Sequence, residues 1–423
     1  MTVDATSQVA APAAESAPPS SLWRNRDYML LWSGQLVSSV GSSVSGLAYP
    51  LLALFLTRSP AQAGLLGAFT ALPYLIFSLP AGALVDRWDR KRVMMLCDTG
   101  RALSLATIPI AAVTGHLTIV QLYVTSTVEG TLFVFFNLAE TASLPRVVPK
   151  AQLPAATAQN QASDGATLLV GPPLSGVLYG LGHAVPFLVD AVSYSASVVS
   201  LLFVRTTFQQ QRAPARRDLR GEIMEGLVWL WRQPLVRFMA VLTGGLNFVG
   251  AASGLMLIVL ARQDHATPTT IGLMFSIGSI GGLLGSLLAP RLQKRFGFGQ
   301  IIIGLGWIRV ALWPLYAVAP HPLLLGVVFA ALAFNAPLYN AVQFSYRLAL
   351  IPDALQGRVN SAFRLVAFGF RPLGVALCGI LLQSAGPRRT VLVFSACVLA
   401  LAALTTLNSH VRNARPIAAT SRQ

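Results

Sequence analysis

Apolar residues run along this chain in twelve long stretches separated by short polar turns: 28–57, 62–85, 93–115, 117–141, 154–180, 184–204, 234–262, 268–290, 300–319, 322–349, 358–384 and 388–410. A helix needs about 20 residues to cross a bilayer, and only helices or closed barrels satisfy their backbone there. The pattern predicts an all-α integral membrane protein of twelve transmembrane helices. Its densest interruption is Gly82-Ala83-Leu84-Val85-Asp86-Arg87-Trp88-Asp89-Arg90-Lys91-Arg92, between the second and third stretches. Such a knot of charge belongs in a tight turn at a membrane face, and its four cations mark that face as cytoplasmic.

The other connections divide the same way. Arg24, Arg26, Arg146, Lys150, Arg205, Arg212, Arg216, Arg217, Arg220, Arg232, Arg237, Arg291, Lys294, Arg295, Arg347, Arg358, Arg412, Arg415 and Arg422 fall on the side of the knot. Only Arg58, Arg262, Arg388 and Arg389 fall opposite. This asymmetry implies an even number of crossings with both termini in the cytoplasm. Residues 1–27, rich in Ala, Ser and Pro near the start, read as a disordered cytoplasmic tail, and 411–423 as a second tail.

Two six-helix units, 28–204 and 234–410, flank a linker at 205–233 whose segment Gly221–Trp231 has the spacing of an amphipathic helix on the inner leaflet. The units are copies. Asn137, Glu140 and Pro149 correspond to Asn340, Gln343 and Pro352 at an offset of 203, and Pro172 to Pro372 at 200. Six crossings return the chain to its starting side, so the repeats run parallel about an axis along the membrane normal, with a binding site between them.

Composition removes other classes. Of 423 residues, 54% are hydrophobic and 11% charged, against about 25% charged in soluble domains. The net charge of +16 then reflects arginine beside anionic lipid rather than nucleic-acid binding. Cys97, Cys378 and Cys397 lie in apolar runs and suggest neither disulfides nor a metal site. Neither a phosphate-binding G-x-x-x-x-G-K-[ST] turn nor a hydrolase motif occurs, so the chain is not read as an enzyme and needs no cofactor.

Gly82-x-x-x-Asp86-Arg87-x-x-Arg90-Lys91 resembles the loop signature of the major facilitator superfamily. The aspartate at Asp89, where glycine is usual, resembles the branch of bacterial enterobactin-type and macrolide exporters. Asn25-Arg26-Asp27, Leu31-Trp32-x-Gly34-Gln35, Gly171-Pro172, Asp190-Ala191-x-Ser193 and Glu225-Gly226 extend the resemblance through most of the chain. It implies alternating access, with Gly82, Asp86, Arg87, Arg90 and Lys91 as a cytoplasmic gate. The same turn would also be basic merely to set topology. The Gly171, Pro172 and Gly176 kink resembles the exporters' glycine–proline motif and implies efflux by antiport, although a packing feature would look alike.

Several polar groups fall within the spans. Gln35, Ser38, Ser42, Ser45 and Tyr49 share one stripe of the first, facing either a wet cavity or a neighbouring helix. Relatives often carry an aspartate where Ser42 stands. Glu129 and Glu140 share a face of the fourth span with Phe133 and Phe136 nearby. Glu129 reads as a proton-binding carboxylate or a satisfied interhelical bond, and Glu140 as a partner of a basic loop residue. Asp164 is a further proton-coupling candidate, meeting an arginine of the eleventh span or capping its own helix.

Asp98 with Arg101 forms a local ion pair, and Arg309, Arg364 and Arg371 are partners for an acid–arginine bridge between halves. Asn247, Asn335, Tyr339 and Gln343 complete an aromatic, amide-lined cavity. The reading is a monomeric, proton-driven exporter of a lipophilic or amphiphilic small molecule in the bacterial inner membrane, surrounded by lipid. Alternatives are a proton-linked importer and a non-transporting receptor or scaffold.

Overall fold

The computed structural model describes residues 21–208 and 219–414. The expected tails up to residue 20 and from 415, with Arg212, Arg216 and Arg217, lie outside the described residues. Every described element is helical: α1 (Arg26–Thr57), α2 (Pro60–Val85), α3 (Arg90–Val113), α4 (Ile119–Val147), α5 (Leu153–Leu181), α6 (Val185–Phe203), α7 (Leu219–Arg232), α8 (Pro234–Gln263), α9 (Pro268–Arg295), α10 (Phe298–Leu312), α11 (Pro322–Leu350), α12 (Gln356–Gly369), α13 (Arg371–Ser384), α14 (Pro387–Leu407) and α15 (Ser409–Arg412), with short 3-10 turns before α1, between α4 and α5, after α10 and between α11 and α12.

Local chemistry punctuates them. Asn25, Ser59, Asp89 and Thr118 accept hydrogen bonds from first-turn amides of α1 to α4, satisfying donors a helix start leaves orphaned. Proline opens α2, α8, α9, α11 and α14 at the first position, where its missing amide costs nothing. The expected eleventh span is broken into α12 and α13 at Phe370, just before Pro372. A proline there cannot donate to the preceding turn.

Eleven helical stretches among the described residues are long and apolar enough to cross a membrane, α12 and α13 counting as one. The twelfth, α5, is long enough but diluted by Gln159, Asn160, Gln161 and Asp164. It packs between α1 and α9, so protein rather than lipid solvates much of it.

Helix pairing repeats from one half to the other. In the first, α1 packs on α5 and α6, α2 on α4, and α3 on α4 and α6. In the second, α8 packs on α13 and α14, α9 on α11, and α10 on α11 and α14. The halves meet through α5 with α9 and α2 with α13.

Two sequence motifs prove to be fasteners, Asn25-Arg26-Asp27 and Glu225-Gly226. The Asp27 carboxylate accepts from the Arg205 amide (3.2 Å), the Thr206 amide (2.8 Å) and the Thr206 hydroxyl (2.5 Å), tying the start of α1 to the chain leaving α6. Asn25 donates to the Val147 carbonyl at 2.8 Å, fixing the end of α4. Glu225 pairs with Arg358 while Gly226 lies against the Arg358 backbone. The linker helix α7 is thus docked on α12 along one edge, leaving Met224, Val228 and Trp231 exposed on another.

Contact between the halves is closest at the end away from the Arg87–Arg92 turn, hereafter the far end. A Cβ on Gly272 would lie 2.3 Å from the Pro172 carbonyl oxygen, on Gly176 2.4 Å from that of Pro268, and on Gly379 2.5 Å from that of Pro60. Ser59 and the Ala61 amide donate across the same seam to the Gln383 side chain, at 2.5 and 3.2 Å. Backbones approach this closely only where side chains are missing. Gly272→Ala should lower the thermal unfolding midpoint of the purified protein although alanine favours helix. Gly180→Ala, whose added carbon meets nothing within 4 Å, should leave the midpoint level or raise it.

Candidate functional site

Four helices of the first half bring their polar residues to one point. Arg101, on α3 and only 5% exposed, is its centre. Its guanidinium lies 3.8 Å from the Asp98 carboxylate on its own helix and 3.5 Å from Glu129 on α4. It stacks 4.0 Å above the Tyr194 ring of α6 and reaches the Ser42 hydroxyl of α1 at 3.5 Å. The Tyr194 hydroxyl sits 2.7 Å from that of Ser42 and donates to Glu129 at 3.1 Å.

Asp190 on α6 is fully buried beside this group. It accepts from Ser45 at 2.5 Å and from Ser193 at 3.1 Å. Asp98 is equally buried, and Arg101 is the cation that faces it. Three carboxyls therefore surround one guanidinium inside a lipid-embedded bundle. Fully ionised, the group would carry an excess of two negative charges, which a medium of low dielectric penalises heavily. Binding protons is the chemistry that relieves it.

The serine stripe of α1 is committed to neighbouring helices rather than to open space. Gln35 donates to Ser197 of α6 at 3.2 Å, Ser38 bonds its own helix, Ser42 and Ser45 join the cluster, and Tyr49 packs against Phe187 with its hydroxyl 3.5 Å from Thr125. Contact with neighbouring helices accounts for four of the five, and Ser38 is spent on its own helix.

Glu129 has the satisfied bonds of one reading while sitting where the other requires. Glu140 lacks the expected loop partner. It makes no hydrogen bond or ion pair among the described residues, and the charges acting on it are Asp164, Asp98 and Arg101. Asp164 is exposed eleven residues into α5, too far along to cap it. Arg364 bonds the Tyr74 hydroxyl of α2 across the halves, so the bridge it forms uses a phenol rather than an acid. Arg371 is exposed where α13 begins, and Arg309 stacks 5.7 Å above Tyr339 inside the second half.

The open faces lie one register step from those expected. On α4, Phe133 is 46% exposed and Asn137 is exposed, whereas Phe136 is 4% exposed and belongs to the core. On α11, Ala336, Asn340 and Phe344 are exposed at four-residue spacing, while Asn335, Tyr339 and Gln343 are buried. The two open stripes coincide under the 203-residue offset. Asn247 is half-buried and donates to the Ala367 carbonyl at 2.8 Å.

Around the turn at the basic end, Asp86 is exposed and 3.5 Å from Arg90. Arg90 also donates to the Ala142 carbonyl at 2.8 Å, and Lys91 to that of Val204 at 2.7 Å. Both cations thus bind carbonyls of their own half, near the ends of α4 and α6. Gly82 has open space about it. In the kink motif, a Cβ on Gly171 would stand 2.1 Å from the Ser43 hydroxyl, so Gly171 seats α5 on α1 while Gly176 seats it on α9.

Arg101 was legible only as a partner of Asp98. Its other partners come from α1, α4 and α6, and no local spacing announces that convergence. Asp190 stands in a resemblance motif, and its intramembrane acid was the available signal.

A family profile described as "Transmembrane secretion effector" matches residues 17–423. The chain is similar to the multidrug efflux pump Tap of Mycolicibacterium fortuitum, 29% identical over 394 residues covering 88% of this chain and 93% of that protein. It is also similar to macrolide efflux protein A of Streptococcus pyogenes, 24% identical over 401 residues covering 92% and 97%. A solved structure of the nucleoside transporter NupG shares the fold with a TM-score of 0.72 at 16% identity, covering 90% of this chain and 98% of that one. Fold and family are those of multi-pass, non-catalytic membrane transporters. The chain belongs to the transmembrane secretion effector family of the major facilitator superfamily.

Proposed function

We propose that the protein exports a lipophilic or amphiphilic small molecule from the bacterial cytoplasm in exchange for protons. The observation that carries this reading is the excess of carboxyls over cations around Arg101: Asp98, Glu129 and Asp190 against one guanidinium. The two relatives named for drug and macrolide efflux support the direction.

On this reading Glu129 is the carboxyl that exchanges protons. It alone of the three is both paired to Arg101 and partly accessible, its side chain 12% exposed. Proton arrival on Glu129 weakens its hold on Arg101 and Tyr194, and the freed guanidinium turns to Asp98 and Asp190. Small shifts among four packed helices then bias which end of the bundle is closed. Asp164 and Glu140 lie on the side toward the basic end and form the path by which the proton leaves. On this reading the open stripes of α4 and α11, with Phe133 and Asn137 on one and Asn340 and Phe344 on the other, form the substrate surface.

With the basic end and both termini in the cytoplasm, closure at the far end makes this the cytoplasm-facing state. Asp86, Arg87 and Arg90 latch the basic end in the other state, where Arg90 exchanges a carbonyl for a partner across the seam. The units 28–204 and 234–410 rock as bodies, the second carrying α7 through Glu225 and Arg358. An importer with the same cluster would carry protons and substrate in one direction.

Everted vesicles from a pump-deleted host separate these readings. With this protein, a substrate should dissipate an imposed acid-inside gradient and accumulate within. Glu129→Gln should abolish the proton flux at unchanged protein level. Accumulation that persists undiminished in Glu129→Gln, or that follows the proton outward, overturns the proposal. Arg101→Gln leaves buried carboxyls uncompensated and should cost about 3–5 kcal/mol at neutral pH. Its thermal midpoint should recover as pH falls and the carboxyls protonate, since the neutral forms need no counter-charge.

A further inference from the structure

Arg101 has a counterpart in the second half. It stands eleven residues after the first residue of α3, and Arg309 stands eleven after the first residue of α10. Both lie over a tyrosine ring, Arg101 at 4.0 Å from Tyr194 and Arg309 at 5.7 Å from Tyr339. Arg309, half-buried, lies on the inward stripe of α10 with the buried Ile302 and Leu305, while Trp307 and Ile308 face out. At 1.5 Å per residue its depth from the helix start is about 16 Å, near the middle of the hydrocarbon.

The surroundings differ completely. Arg101 has three carboxyls about it. From residue 234 onward the chain holds only Asp264 and Asp353, both in turns between the long helices. The Arg309 guanidinium makes no hydrogen bond or ion pair among the described residues. Guanidinium does not deprotonate in proteins, so the charge persists and needs an anion.

Arg309 borders a narrow pocket whose walls include Leu242, Ile302, Leu401, Tyr339 and Thr405. The two hydroxyls there are already committed. Thr405 donates to the Leu401 carbonyl at 2.6 Å. Thr243 donates to the Met239 carbonyl at 2.7 Å, so the Tyr339 proton goes to Thr243, 2.7 Å away. The free donors in this pocket are those of Arg309.

We propose that this pocket binds a monatomic halide, chloride in the cell, as the counter-ion of Arg309. Guanidinium donors beside so small a space, whose hydroxyls are already spent and whose other walls are apolar, suit a single-atom anion of low hydration. A carboxylate would match the guanidinium fork with both oxygens, but its carbon chain, like the further oxygens of a phosphate, needs more room than the space of about 10 Å³, close to that of one water molecule, beside Arg309. The halide takes the place in the second half that Glu129 takes in the first, as a charge that no proton can cancel.

The full-length protein in detergent tests this by thermal unfolding while sodium chloride replaces sodium gluconate at constant ionic strength. The wild-type midpoint should rise with chloride to a plateau, as for a ligand held by the folded state, and bromide should act alike. Arg309→Gln should flatten the titration, weakening apparent chloride affinity roughly tenfold or more. Gly306→Leu keeps the arginine but fills the pocket, and should flatten it as well. A wild-type midpoint indifferent to chloride overturns the proposal, as does acetate acting as strongly as chloride. A response in Arg309→Gln equal to wild type also overturns it. If Arg309→Gln yields no folded protein, an undiminished chloride response in Gly306→Leu overturns it alone.

Discussion

An arginine that cannot lose its proton, set in a bundle that lipid surrounds, is the constraint on which the first half is built. Each helix that touches Arg101 supplies something the charge requires: Asp98 from α3, Glu129 from α4, the Tyr194 ring from α6 and a hydroxyl from α1. Close approach of α6 to α1 is part of the same demand. A Cβ on Gly41 would fall 2.1 Å from the Ser193 hydroxyl and 2.5 Å from Asp190. Without that glycine, Asp190 could not reach Ser45. Hydroxyl-rich α1, which carries no acid within the bilayer, thus sets the geometry of acids borne by its neighbours.

The two halves share a packing plan and differ in electrostatics. The first mixes carboxyls with one buried cation, so its net charge can change with proton occupancy. The second holds Arg309 and Arg347 with no carboxyl in its spans, and Arg347 lies 3.8 Å over the Phe363 ring. On the proposed reading one half responds to the proton gradient and the other presents a fixed positive wall. Duplicated architecture with unequal charge gives a rocking device a direction of response.

Most of the fold was legible because lipid leaves the backbone few choices. Run length and turn chemistry place nearly every helix, and the offset of 203 exposes the repeat. The break at Phe370 was hidden because the averaged hydropathy of 356–384 stays high across it, leaving Gly369, Arg371 and Pro372 as its local signals. The site was harder. Helical periodicity says which residues share a face but not which face is covered. Asn335, Tyr339 and Gln343 form a true stripe, yet α11 turns it inward and opens Ala336, Asn340 and Phe344. A polar stripe in a membrane helix is as often there to meet a neighbour as to meet a substrate, and α1 is the clearest instance. Convergence of four helices on Arg101 is a tertiary fact with no linear signature.

The far-end seam of Gly272, Gly176 and Gly379 has a mechanical corollary. Apart from the Gln383 side chain that Ser59 and the Ala61 amide hold, its closest contacts bring main chain against main chain, with little side chain between them to stretch or swing. Dispersion between such surfaces vanishes within a few ångströms of separation, so the seal has almost no intermediate extension. On the proposed reading it behaves as a switch with a short throw rather than a spring, so that water would gain passage at that end all at once or not at all.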